Sequence, residues 1–77
     1  MAAPRGSARL TAMGRDVIFE FYRVGNSVKV SAVDTETLTE VSIVGPITAS
    51  EATLRNNALR KLEFVLARRA GKDRKPR

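Results

Sequence analysis

The run DVIFEFYRVGNSVKVSAV, residues 16–33, decides the fold of this chain. From Asp16 to Val24 the side chains alternate with a period of two. Val17, Phe19 and Phe21 fall on one face and Ile18, Glu20, Tyr22 and Val24 on the other, as in a strand with one side against a core. Gly25-Asn26 follows and is a strong hairpin signal, because glycine reaches the positive φ that tight primed turns require. A two-residue loop there sets Arg23 against Val28, Phe21 against Val30 and Phe19 against Ala32. The apolar residues of both strands then share a face, and a slip of one residue would separate them.

Toward the C-terminus, Asp34-Thr35-Glu36-Thr37 reads as a polar turn in which the Asp34 carboxylate accepts backbone N–H groups. With those four residues as the loop, a third strand runs from Leu38 to Val44, and Val41 is expected opposite Val30 and Ile43 opposite Val28. Gly45-Pro46 ends the sheet. Thr48-Ala49-Ser50-Glu51 reads as a capping box, Thr48 capping a helix that starts near Ala49 and Glu51 reaching back. At 100° per residue Leu54, Ala58, Leu59, Leu62, Val65 and Leu66 form one apolar stripe, while Arg60, Glu63 and Arg68 point away from it. Gly71 suits the position just past the helix, and Arg68 and Arg69 suit its negative end.

Toward the N-terminus, residues 1–15 contain Pro4, Gly6, Ser7 and Gly14 and show no period, so they are expected to be disordered. Met13 would serve as an alternative start. The expected class is therefore α+β, a three-stranded antiparallel meander in the order β-β-β-α with one C-terminal helix packed on one face. It occupies residues 16–70, between a disordered segment at 1–15 and a mobile basic tail at 71–77.

A chain of 77 residues supports a single domain with a small core, and a homodimer would bury more. It has no cysteine and no histidine, which removes disulfides, thiolate nucleophiles, imidazole bases and the usual zinc ligand sets. Neither a signal-peptide core nor a long apolar run is present, so a cytoplasmic protein without membrane contact is expected. The net charge of +6 suggests nucleic acid until it is located. Between Asp16 and Ala67 acidic side chains outnumber basic ones, and the excess positive charge lies in the two ends.

The catalytic inventory is short: carboxylates, one tyrosine, and hydroxyls with no group to activate them. Glu36 and Glu40 read as solvated carboxylates. No glycine-rich phosphate loop precedes the helix. The chain is expected to be a non-enzyme without cofactor or metal. Two surfaces remain once the core is assigned. One is the open face of the sheet, where Ile18, Val33 and Leu38 are expected to cluster, with Glu20, Tyr22, Lys29, Ser31, Glu40 and Ser42 beyond them. The other is the outer side of the helix, where Phe64 sits in a basic frame of Arg60, Lys61 and Arg68 with Asn57. Either would serve a protein partner or a second copy of the chain. The competing expectation is weak, salt-sensitive nucleic-acid association through Arg5, Arg9 and Arg15 at one end and Arg68, Arg69, Lys72, Arg74, Lys75 and Arg77 at the other.

Four runs together carry a resemblance. They are Gly-Arg-Asp-Val-Ile-Phe-Glu-Phe from Gly14, Val-Gly-Asn-Ser-Val-Lys-Val-Ser-Ala-Val-Asp from Val24, Glu-Val-Ser-Ile-Val-Gly-Pro from Glu40 and Asn-Ala-Leu-Arg-Lys-Leu-Glu from Asn57. The chain from Gly14 to Arg69 resembles a family of short uncharacterised proteobacterial proteins, a domain of unknown function. The resemblance implies a bacterial cytosolic protein and supplies no activity. A looser likeness is to the double-stranded-RNA-binding domain, which also ends in three antiparallel strands and a helix. There Ser50, Arg55, Ala58 and Leu62 sit near matching positions, but Glu51 and Ala52 stand where that domain has its paired phosphate-clamping lysines. Shared architecture without the site is analogy only.

Overall fold

A computed structural model describes residues 4–12 and 14–73. The elements are β1 (Pro4–Ala12), β2 (Arg15–Val24), β3 (Ser27–Asp34), β4 (Thr39–Pro46) and α1 (Glu51–Asp73). The strands form one antiparallel sheet in the order β1-β2-β3-β4, and α1 packs against β3 and β4 on one face. The architecture is α+β with a C-terminal helix, as expected, but the sheet has four strands and not three.

The β2–β3 hairpin has the expected register, with Phe19 against Ala32, Phe21 against Val30 and Arg23 against Val28. Gly25 closes its turn at φ +60°. The third strand of the sequence reading, now β4, is displaced by two residues. Val30 faces Ile43 and Ala32 faces Val41, because the turn is Thr35 to Leu38 and Asp34 still belongs to β3. A shift of two preserves the faces, so Val41 and Ile43 stay on the core side.

Residues 4–12, expected to be disordered, instead pair along β2 from Ala12↔Arg15 to Pro4↔Tyr22, with an irregularity between Pro4 and Gly6. Gly14, at φ +67°, lies in the connecting turn. The side of β1 that shares the helix-facing layer carries Gly6, Ala8 and Leu10, opposite Phe21, Phe19 and Val17. Those residues bury little of their own. The strand is held mainly by main-chain pairing to a β2 edge that would otherwise be unpaired.

The core consists of Val17, Phe19, Phe21, Val28, Val30, Ala32 and Val41 from the sheet and Leu54, Ala58 and Leu62 from α1. Leu59, Val65 and Leu66 pack against it partly buried, so the apolar stripe of the helix lies as its spacing predicts. Gly45 lets the helix approach β4: a Cβ there would run into the Leu54 side chain, which is itself buried. The helix cap is Ser50 and not Thr48. The Ser50 Oγ accepts the Thr53 amide at 3.1 Å, and Glu51 occupies the first turn, favourable to the helix dipole. At the other end α1 continues through Gly71 to Asp73, so the tail expected from residue 71 begins as helix.

Candidate interaction surfaces

The side of the sheet away from α1 has no element over it among the described residues. Its side chains fall in rows across the strands: Arg9, Ile18, Val33 and Glu40; then Ser7, Glu20, Ser31 and Ser42; then Tyr22, Lys29 and Val44; then Val24, Ser27 and Pro46. Val44 is 69% exposed and Val24 56%, while Ile18 and Val33 are half-buried. Tyr22 donates its hydroxyl to Glu20 at 2.7 Å, and Lys29 stands 5.8 Å from the centre of the Tyr22 ring. The hydrogen bond to Glu20 is the main reason the Tyr22 phenol is pushed above its usual titration range; burial and the charges of Glu20 and Glu40 add to it.

Ile18 and Val33 are directly paired, as the register predicts. Leu38 does not join them, which corrects the expected cluster. It is the last residue of the β3–β4 turn, 77% exposed and at φ +60°, and Glu40 takes the place opposite Val33. The apolar residues that do share the open face with Ile18 and Val33 are Val24 and Val44, and the two-residue shift of β4 sets Val44 opposite Lys29.

On the outer side of α1, Phe64 is 61% exposed, with the Arg68 guanidinium 5.5 Å from its ring centre. That is an i, i+4 stack of modest strength at an exposed site. Arg60, one turn before Phe64, is exposed as expected. Lys61 leaves the frame: its Nζ donates to the Ser42 carbonyl of β4 at 2.9 Å. Of the expected phosphate contacts, Lys72 lies on the last turn of the helix, and Arg74, Lys75 and Arg77 lie outside the described residues.

Arg69 has a different role, in a polar cluster at the end of the sheet that sequence reasoning missed. Its Nη1 donates to Thr39 Oγ1 at 2.7 Å, Thr39 and Thr37 share a hydroxyl contact of 2.8 Å, and Thr37 Oγ1 donates to Asp34 Oδ2 at 2.6 Å. The Thr37 amide and Arg15 Nη1 also reach Oδ2, at 3.1 Å and 3.0 Å, and Arg15 bridges on to Glu36 at 2.8 Å. A hydroxyl has one proton to give, so the chain runs from Arg69 through Thr39 and Thr37 to Asp34. Asp34 is fully buried on the helix side of the sheet, between Val17 and Thr39, and among the described residues its Oδ1 has no hydrogen-bond partner. The Thr37 hydroxyl is the largest cause holding its carboxyl below the usual range; the amides of Thr37 and Glu36 and the Arg15 charge add to this against the opposing effect of burial. The only signal in sequence was Asp34 as a turn residue. Its direct arginine partner, Arg15, lies in a segment with no periodicity to place it, and Arg69, on the predicted helix, reaches it only through Thr39 and Thr37.

Arg9 pairs with Asp16 at 3.1 Å with both side chains well exposed, so this ion pair contributes little. Much of the basic excess assigned to the ends is thus attached to the folded body through Arg9, Arg15, Arg68 and Arg69. Among the described residues no group of three or more acidic side chains is placed to hold a metal ion, and no helix is long and apolar enough to cross a membrane.

No curated protein and no solved structure matches this chain. The model of the family described as Domain of unknown function (DUF6898) matches residues 14–69, the span from the turn before β2 to the Arg69 that closes the polar cluster, and the chain is a member of that family.

Proposed function

We propose that this chain is a small non-catalytic binding module of the cytoplasm that works through the open face of its sheet. The observation that carries the reading is a four-stranded sheet with one side covered by α1 and the other side presenting the paired Ile18 and Val33 between Arg9 and Glu40, with Val44 and Val24 exposed beyond the polar row of Glu20, Ser31 and Ser42. A cluster of apolar side chains rimmed by polar ones is the usual form of a protein contact. The polar cluster around Asp34 supports the reading from another direction. It joins the helix end to the β3–β4 turn, which is a structural task, and its hydroxyls are used within that chain of hydrogen bonds.

Capture experiments with the full chain as bait test this. Val44→Asp, on an exposed position, is expected to abolish retention of a partner from source-cell lysate, while Phe64→Ser on the helix retains it. Equal retention by both variants, or loss only with Phe64→Ser, overturns the open face as the working surface. Amide shifts on adding short RNA or DNA duplexes at near-physiological salt, centred on Arg60, Phe64 and Arg68, would instead favour nucleic acid.

A further inference from the structure

We propose that the occupant of the open face is a second copy of this chain, seated across a two-fold axis that runs along the strands. The inference rests on the reading of that face as a binding surface and adds the partner and its register. A two-fold axis of this kind lays β1 of one copy over β4 of the other and β2 over β3, with every row stacked on itself in reverse order. The row Arg9, Ile18, Val33, Glu40 is then self-complementary. Arg9 of each copy, which in its own chain pairs with Asp16, also meets Glu40 of the other, and Ile18 meets Val33. In the next row Glu20 meets the Ser31 hydroxyl, and in the third the Tyr22 ring meets the second copy's Lys29, the same pairing it makes within its own chain.

A two-fold across the strands and through the Glu20 row is disfavoured by the same residues. It would lay Glu20 on Glu20 and Val33 on Lys29, a like-charge contact and an unmatched cation. Charge placement therefore favours the axis along the strands over that one. Four strands at about 4.8 Å and eight residues at about 3.3 Å give a face of roughly 500 Å² in plan, at the small end of specific contacts. Association is accordingly expected in the micromolar range and not tighter.

The arrangement can be tested by swapping charges between chains. Within one copy Arg9 and Glu40 are on opposite edge strands, three strand spacings or about 14 Å apart, so they cannot rescue each other internally. Sedimentation equilibrium of the full chain from about 10 μM to 1 mM is expected to show a monomer–dimer equilibrium. Arg9→Glu alone opposes two carboxylates, Glu40→Arg alone opposes two guanidiniums, and each is expected to weaken self-association about 10-fold or more. An equimolar mixture of the two variants restores both opposite-charge pairs and is expected to associate within a few-fold of the unsubstituted chain. A chain that stays monomeric to 1 mM, or a mixture as weak as its components, overturns the proposal. Either result leaves the open face itself to be judged by the capture experiment above.

A second measurement does not depend on those variants folding. The chain has no cysteine, so Thr11→Cys at the exposed end of β1 accepts one spin label. Mixed with isotope-labelled, unsubstituted chain, it is expected to broaden the amides of Glu40 and Ser42 across the axis. Broadening confined to other surfaces, or none at 1 mM, overturns the proposed register.

Discussion

Two turns of this sheet place a residue at φ +60°, and they fill the position with opposite chemistries. Between β2 and β3 it is Gly25, for which the left-handed region is free of Cβ conflict. Between β3 and β4 it is Leu38, for which the same backbone costs about 1–2 kcal/mol. The first turn has lighter bracing: Arg23 Nε donates to the Gly25 carbonyl at 2.9 Å and the Ile47 amide to the Asn26 carbonyl at 3.0 Å, neither bond being needed to permit the φ of a glycine. The second is tied down around its strained residue: the Leu38 amide donates to the Asp34 carbonyl at 2.7 Å, and the Asp34 carboxylate holds Thr37 and Arg15. A backbone shape can thus be imposed by local residue choice or by a surrounding network, and the two can be distinguished by what breaks them.

The largest effect is expected where the network is cut. Asp34→Ala removes the acceptor for Thr37 and Arg15 from a buried position and should lower unfolding stability by about 2–3 kcal/mol, read from urea melts. A loss below about 1 kcal/mol would mean that the second turn stands without its network. Gly25→Val attacks the other turn through φ alone and should cost about 1–2 kcal/mol with no change in the β3–β4 amide shifts. Leu38→Gly runs in the opposite direction. It should stabilise the chain by at most about 1 kcal/mol, since relief of the left-handed leucine is offset by a more flexible unfolded chain. Destabilisation would show that the exposed leucine makes a contact that offsets its strain.

The most graded test is acid. The Asp34 carboxyl titrates in the folded chain below its ordinary value of 3.8. Its contribution is therefore complete at pH values above that ordinary value and is lost as pH falls through the lower, folded one. Between about pH 5 and pH 2 the unsubstituted chain should lose stability more steeply than Asp34→Asn, and above pH 6 the difference between them should be constant. Parallel acid profiles would remove Asp34 from the account of that turn.

The same contrast explains what could be read from the sequence. Gly25-Asn26 between two alternating runs left one register for β2 and β3, and that register is the one found. At the second turn a polar tetrad and a leucine offered no sign that the left-handed residue would be Leu38. The residues themselves point to a loop one residue early, which moves β4 by two and puts Leu38 in an open-face cluster it does not join. Ile18 and Val33 were legible because they depend only on the first hairpin. β1 was not, because Gly6, Ser7 and Ala8 have little strand preference; what orders them is the free edge of β2, a tertiary cause without a local pattern. The helix stripe was legible throughout. Its cap was displaced by two residues because Thr48 and Ser50 both offer a side-chain oxygen, and only the Ala49 amide bonded to Pro46 at 3.0 Å shows that the chain is still turning before Ser50.

The bond from Lys61 to the Ser42 carbonyl has a consequence for how copies of this chain can accumulate. β4 is an outer strand, and its outward carbonyls are what another chain would use to extend the sheet sideways into a ribbon without a natural end. The helix lays an ammonium group across that rim, so a strand arriving there must first displace a hydrogen bond and confront a positive charge. Growth by stacking open faces is finite, because a pair uses up both surfaces. Sideways growth has no such limit, and Lys61 stands against it.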